Sequence, residues 1–204
     1  MVSDTERIGI REPSALMEKV DLFMDKDIIF QELKSEDAQQ AKELCLRNIK
    51  DTFGDEYHPR WAYDLDTLAK PDSLYRKSTQ GIFLVAKLGQ ILLGTIGIRS
   101  LLSHEHSVPP RVLSTFHSLN SVAYITRAYV EPKYRSHGIG THLVHLSELF
   151  ARKYYSIIYL HTHPNVNYDS IIFWTRRKYS IILEEYGNDP TIHMSKVIST
   201  HASL

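Results

Sequence analysis

Apolar and polar positions recur along this chain at two spacings, and the changes of spacing mark its elements. From Ser14 the spacing of Leu16, Val20 and Phe23 predicts a short helix with Ser14 as its N-cap. Residues 27–33 (DIIFQEL) read as a strand. Ser35 then caps a helix whose apolar stripe is Ala38, Ala41, Leu44, Cys45 and Ile49, with Gly54 placed to stop it. Trp61, Leu65 and Leu68 share one face of a second helix over residues 59–69, which Pro71 ends. Residues 81–87 and 91–99 are apolar strands separated by Leu88-Gly89-Gln90, a hairpin signal. Residues 101–120 read as a long polar loop carrying Pro109-Pro110 and His104, His106 and His117. A strand follows over 121–130, then a helix with Ile139, Leu143, Leu146 and Phe150 on its inner face. The last elements are a strand at 156–161, a helix at 167–177 and strands at 179–185 and 191–197. The final two strands flank the turn Gly187-Asn188-Asp189-Pro190.

The order β-α-α-β-β-β-α-β-α-β-β predicts one domain over residues 27–198, a mixed sheet flanked by helices. Residues 1–26 form an N-terminal extension and 199–204 a tail; no repeat or linker divides the rest. Lys plus Arg equal Asp plus Glu at 24 each, so no global field draws the chain to nucleic acid or an anionic membrane. No apolar run is long enough to cross a bilayer, and the charged first residues lack the apolar core of a secretory signal. A cytoplasmic protein is the expectation. Cys45 is the only cysteine, which excludes an intrachain disulfide and a cysteine-based zinc site; a buried apolar role fits it.

Chemistry concentrates where the strand over 121–130 gives way to the next helix. Arg135-Ser136-His137-Gly138-Ile139-Gly140 lies between them. Gly138 and Gly140 lack a Cβ, so a ligand can approach the backbone where the first helical N–H groups have no partner. Those donors, the helix dipole and the Arg135 guanidinium suit an anion such as a pyrophosphate. A dinucleotide fingerprint needs a third glycine where Leu143 stands, and no Gly-Lys-Ser/Thr of a P-loop is present.

The spacing R-x-x-G-x-G after Tyr129-Val130-Glu131-Pro132 resembles the acyl-CoA motif of the GNAT N-acetyltransferase superfamily. That resemblance implies an α/β (α+β) GNAT fold with a mixed, mostly antiparallel sheet of about six to seven strands. It also implies an acyltransferase with acetyl-CoA as cosubstrate and a primary amine as acceptor, attacking the thioester directly. A CoA-binding module of the same fold without transferase activity is the alternative. By the same resemblance Ala128, Tyr129 and Val130 offer main-chain groups to the pantetheine arm. Arg135, Ser136, His137, Gly138, Ile139, Gly140 and Thr141 wrap the pyrophosphate. Residues 167–179 resemble a second family pattern, N-x-x-A-x-x-F-Y-x-K-x-G-F, keeping Asn167, Phe173 and a basic Arg176 in phase. Ser170, Trp174 and Lys178 depart from it. The departure at Trp174 removes the tyrosine that often protonates the departing thiolate, and an indole cannot replace it. Tyr168, a water, or no acid at all remain open.

An ammonium must lose a proton before it attacks, so a base is needed. Some family members place a glutamate where Tyr124 stands; Tyr124 shares a sheet face with Thr126, Ala128 and Val130 by parity. With an ordinary pKa near 10 it would act through water, or it is a core aromatic. His104, Glu105, His106 and His117 are further base candidates. His161-Thr162-His163 places two imidazoles on one strand face without a third ligand, and no metal is expected. Asp51, Asp55, Glu56, Asp64 and Asp66 crowd the segment between the first two helices. They fit an acceptor with positive charge beyond its reacting amine, or an ordinary solvated face.

Overall fold

In the computed structural model, which describes residues 27–54, 62–164, 168–187 and 190–198, seven strands form one sheet in the order β1-β2-β3-β4-β5-β7-β6. The strands are β1 (Ile28–Glu32), β2 (Ile82–Leu88), β3 (Ile91–Ser100), β4 (Val122–Val130), β5 (Ile157–Thr162), β6 (Ser180–Glu185) and β7 (Thr191–Val197). All neighbours run antiparallel except β4 and β5. Four α-helices accompany them among the described residues: α1 (Ala38–Phe53), α2 (Pro110–Leu113), α3 (Ile139–Ala151) and α4 (Tyr168–Arg176). The mixed, mostly antiparallel sheet agrees with the expected fold class.

Period-2 alternation sends the strand residues to two cores. One face of β2, β3 and β4 places Leu84, Ile96, Ile98 and Ile125 under α3, whose Ile139, Leu143 and Phe150 pack against them together with Trp174 and Tyr179. The opposite face places Phe83 and Val85 against Ala41, Leu44 and Cys45 of α1. Cys45 is buried with its Sγ 3.6 Å from Thr95 Oγ1, and burial pushes its thiol up to about 12, so it is an inert packing group. Further along that face, Tyr124 and Tyr159 form a third apolar cluster with Leu101, Val108 and Val112.

Two expectations are corrected here. Within the described part of residues 59–69 the chain forms a 3-10 turn, Tyr63–Thr67, rather than a continuing α-helix. Leu65 and Leu68 are buried as their spacing required, but the tighter turn also directs Asp64 inward. Nor are residues 101–120 simply a long polar loop. A 3-10 segment (Leu101–Ser107), α2 and a 3-10 turn (Leu119–Ser121) fold over the β4–β5 junction, and Leu101, Val108 and Val112 are buried there. The helix expected from Ser14, the extension at 1–26 and the tail at 199–204 lie outside the described residues, as does Asn167.

Helix α4 ends in a Schellman motif: Tyr179 N–H donates to Trp174 O (3.2 Å) and Lys178 N–H to Thr175 O (2.9 Å). Trp174 and Tyr179 supply the accompanying apolar contact, their rings 5.1 Å apart. Lys178 therefore sits in the left-handed region at φ 68°, where the related sequence pattern has glycine. Removing the clash of Lys178 Cβ with the backbone should make Lys178→Gly more stable by about 1 kcal/mol. A urea melt checks this; a lower midpoint at unchanged slope would mean that the lysine stem contributes more than the strained backbone costs.

Candidate active site

The parallel pair β4–β5 holds only through Val122, Ala123 and Tyr124, opposite Ile157, Ile158 and Tyr159. Past Tyr124 the strands part: β4 continues along β3 to Val130, while β5 follows β7 to Thr162. Ala128, Tyr129 and Val130 thus lie on a stretch of β4 with no strand on its β5 side among the described residues. An extended amide-bearing arm can pair with such an edge as another strand would. The divergence coincides with a bulge, where the pairing shifts between Thr95 and Gly97 and Arg127 takes φ 52°.

Beyond β4 a 3-10 turn (Pro132–Tyr134) leads to Arg135 in extended conformation, Ser136 at φ 67° and Gly138 at φ 79°. Gly138 is the N-cap of α3, and no side chain among the described residues caps it. Helix bonding starts at His142 N–H to Gly138 O (3.0 Å), so the N–H groups of Ile139, Gly140 and Thr141 precede the ladder. A Cβ built on Gly138 meets nothing within 4 Å, which leaves the helix end open to an anion. Gly140 also lacks a Cβ for a packing reason. Its Cβ would come within 3.3 Å of the Phe173 ring, so it serves packing between α3 and α4. Arg135 is exposed; its Nε donates to Val130 O (3.0 Å) and its Nη2 to Asn48 Oδ1 (3.3 Å), which holds it at the mouth of the fork. His137 is exposed with Nδ1 2.7 Å from Arg135 O. Trp174 is buried in the core beneath α3, away from any role in proton transfer.

At the apex of the fork stands Tyr124, 6% exposed, with its hydroxyl 3.2 Å from His161 Nδ1. His161 is on β5, two residues past the last β4–β5 pair, and its side chain is exposed. The imidazole of His104 stacks on the tyrosine ring, with ring centres 5.1 Å apart. Burial pushes the Tyr124 hydroxyl up to about 12, so it stays protonated and cannot itself be the base. Burial, reinforced by Arg99, drives His104 down to about 3, so its imidazole is neutral. Of the residues named from sequence, Tyr124, Ala128, Tyr129 and Val130 follow one another along β4, which leads through the 3-10 turn to the loop from Arg135 to Thr141. Glu105, His106 and His117 lie in the segments covering the β4–β5 junction. His161 entered the sequence reading only as a candidate metal ligand, because its place beside Tyr124 depends on the β4–β5 register, which no local pattern shows. Among the described residues no three His, Cys, Asp or Glu side chains gather to hold a metal ion.

A charged network invisible in sequence lies on the same sheet face. Arg127 grips Asp64 with two bonds, Nε to Oδ2 (3.1 Å) and Nη2 to Oδ1 (2.6 Å). Tyr75 donates its hydroxyl proton to Asp64 Oδ2 (2.5 Å), which leaves its oxygen to accept from Thr126 Oγ1 at 2.8 Å. Gly97 makes this insertion possible, since a Cβ there would lie 2.6 Å from the Tyr75 ring. Burial works against the Asp64 charge, but the hydrogen bonds and charge of Arg127 outweigh it and hold the carboxyl below its usual range. Asp64, 1% exposed, is therefore part of the interior rather than of an acidic surface, and Asp66 pairs with Lys42 at 2.5 Å. Asp55 and Glu56 lie outside the described residues.

Residues 46–179 match the family model described as "Acetyltransferase (GNAT) family". No curated protein matches the chain in sequence. Among solved structures, an acetyltransferase from Streptococcus agalactiae is 16% identical with a TM-score of 0.64, covering 85% of this chain and 99% of that one. YncA of Salmonella typhimurium, a putative acetyltransferase solved with acetyl-CoA, is 13% identical with a TM-score of 0.64, covering 87% and 98%. NAA60 of Arabidopsis thaliana, solved with a bisubstrate analogue, is 13% identical with a TM-score of 0.61, covering 85% and 99%. At these identities the structural likeness establishes a shared fold.

Proposed function

The chain belongs to the GNAT acetyltransferase family, and from that premise we propose that it moves the acetyl group of acetyl-CoA onto a primary amine at the apex of the β4–β5 fork. The observation that carries this reading is the Tyr124–His161 pair at the point where the two strands part. Ala128 to Val130 take the pantetheine arm along the free edge. The first N–H groups of α3, with Arg135, take the pyrophosphate. Acetyl-CoA complexes of YncA and of Arabidopsis NAA60 support this choice of donor.

His161 is the base in this scheme. When Nδ1–H donates to the Tyr124 oxygen, the ring's lone pair resides on Nε2, and that atom takes a proton from the incoming ammonium. The neutral amine nitrogen then bonds to the thioester carbonyl carbon and the C–S bond breaks. The remaining surplus proton on nitrogen passes to the departing sulfur, through the Tyr124 hydroxyl or a water. The proton on His161 returns to solvent. Tyr124 thus fixes the tautomer and supplies a donor, which the pKa of its hydroxyl permits and that of a base would not. The absent family acid at Trp174 is compensated by this donor and by the low basicity of a thiolate.

Donor binding provides the test. Arg135→Ala should weaken acetyl-CoA binding by about 1.5–3 kcal/mol, the worth of a hydrogen bond to a charged group. Gly138→Val should weaken it further, because a branched residue resists φ 79° and fills the open helix end. Calorimetric titration of both variants reads this directly; affinities equal to the parent's contradict the pyrophosphate assignment.

A further inference from the structure

Arg99 lies on β3 opposite Tyr124 in the strand register and is 3% exposed. A guanidinium this deep normally has a carboxylate or several carbonyls as partners. Among the described residues Arg99 has one long hydrogen bond, Nη1 to Tyr63 Oη at 3.5 Å, and its Nε is enclosed with no partner at all. The guanidinium carbon lies 5.4 Å from the Tyr124 ring centre and 5.9 Å from that of Tyr75, so aromatic faces hold it without using its donors. The carboxylate whose charge reaches it, Asp64, is engaged by Arg127 and Tyr75. His104, stacked on the same Tyr124 ring, also has an enclosed Nδ1 without a partner among the described residues.

Tyr124 thus contacts both the His161 imidazole and a buried planar guanidinium whose one hydrogen bond among the described residues is long and whose Nε has no partner among them. Such a fork suits a carboxylate in bidentate geometry. We propose that Arg99 receives a carboxylate of the acceptor, so that the substrate is an amine bearing a carboxylate a short distance away, as in an amino acid. This rests on the reading that the amine is acylated beside Tyr124 and His161. Of the carboxylates behind the expectation of further positive charge on the acceptor, Asp64 is already paired within the fold.

Binding without turnover is measured first. Free amino acids and their C-terminal amides are titrated into the protein saturated with CoA, alongside dipeptides beginning with Asp or Glu and their Asn or Gln counterparts. For the pair that binds best, the acid should bind about 10- to 100-fold tighter than its neutral partner. The two sets distinguish an α-carboxylate from a side-chain one. Arg99→Met should bring that ratio close to one with acetyl-CoA affinity retained, and Arg99→Lys, which keeps the charge but loses the planar fork, should fall between. Acids and amides bound alike by the parent, or a ratio that survives in Arg99→Met, would overturn the proposal. Should Arg99→Met fail to fold, competition in the parent decides: acetate or propionate should compete with the amino acid and not with acetyl-CoA, and absence of competition overturns it. Acid-selective binding with no acetylation would sink the transferase reading and leave this one; acetylation without acid preference would do the reverse.

Discussion

His161→Gln should lower kcat by about 10²–10⁴-fold, the usual contribution of a positioned acid or base, while acetyl-CoA binds almost as before. Glutamine has a similar reach and can still bond to the Tyr124 hydroxyl, so the apex of the fork keeps its shape, but an amide cannot take a proton. Tyr124→Phe should also lower kcat, by a smaller factor, because the ring remains stacked near His104 while the tautomer of His161 is no longer fixed. The two variants separate in their pH profiles. The Tyr124 hydroxyl is pushed up to about 12 by burial, so it does not ionise in the neutral range. A rise of kcat/KM between mildly acidic and neutral pH therefore does not come from Tyr124; one that vanishes in His161→Gln and persists in Tyr124→Phe is the result expected of His161 as the base. A loss below about threefold in His161→Gln would assign proton transfer elsewhere.

Asp64→Asn should destabilise the fold by about 3–5 kcal/mol, because it leaves Arg127 charged, enclosed and without its counter-ion. For a chain of this size that is a fall in melting temperature of roughly 6–20 °C. The effect depends on pH in a defined direction. The folded-state pKa of Asp64 lies below its ordinary value, so the pair contributes fully above the unfolded carboxylate pKa. That contribution is lost as pH falls through the folded pKa. The gap between parent and Asp64→Asn should therefore be full at neutral pH and narrow on acidification. Thermal melts across that range check it; a gap that stays constant would mean that the carboxylate's charge is not what stabilises the Arg127 bulge.

How far the sequence spoke depended on whether a feature was local. The strands at 81–87 and 91–99 and the motif from Arg135 to Gly140 are contiguous, and each lies where its own pattern placed it. The segment over 59–69 shows the limit. Leu65 and Leu68 satisfy a helical spacing and are buried, but the pull of Arg127 and Tyr75 on Asp64 belongs to residues far along the chain, and the backbone turns more tightly. Leu101, Val108 and Val112 follow no single period, so their segment read as a polar loop although it packs on Tyr124 and Tyr159. The bulge at Arg127 was hidden because it uses a non-glycine residue at positive φ, sustained by a carboxylate from another element. Arg99 looked like the last residue of an apolar strand. Only the register with Tyr124 and an Nε without a partner among the described residues point to the role proposed for it.

The most direct test is turnover. The purified protein is incubated with acetyl-CoA and a panel of amines that includes free amino acids, following CoA thiol release and N-acetyl product together. Thiol and acetylated amine should appear in equal amounts with at least one amine, and His161→Gln should release neither at a comparable rate. Tight acetyl-CoA binding with no amine-dependent thiol release would contradict acetyl transfer and leave a protein that only binds the cosubstrate.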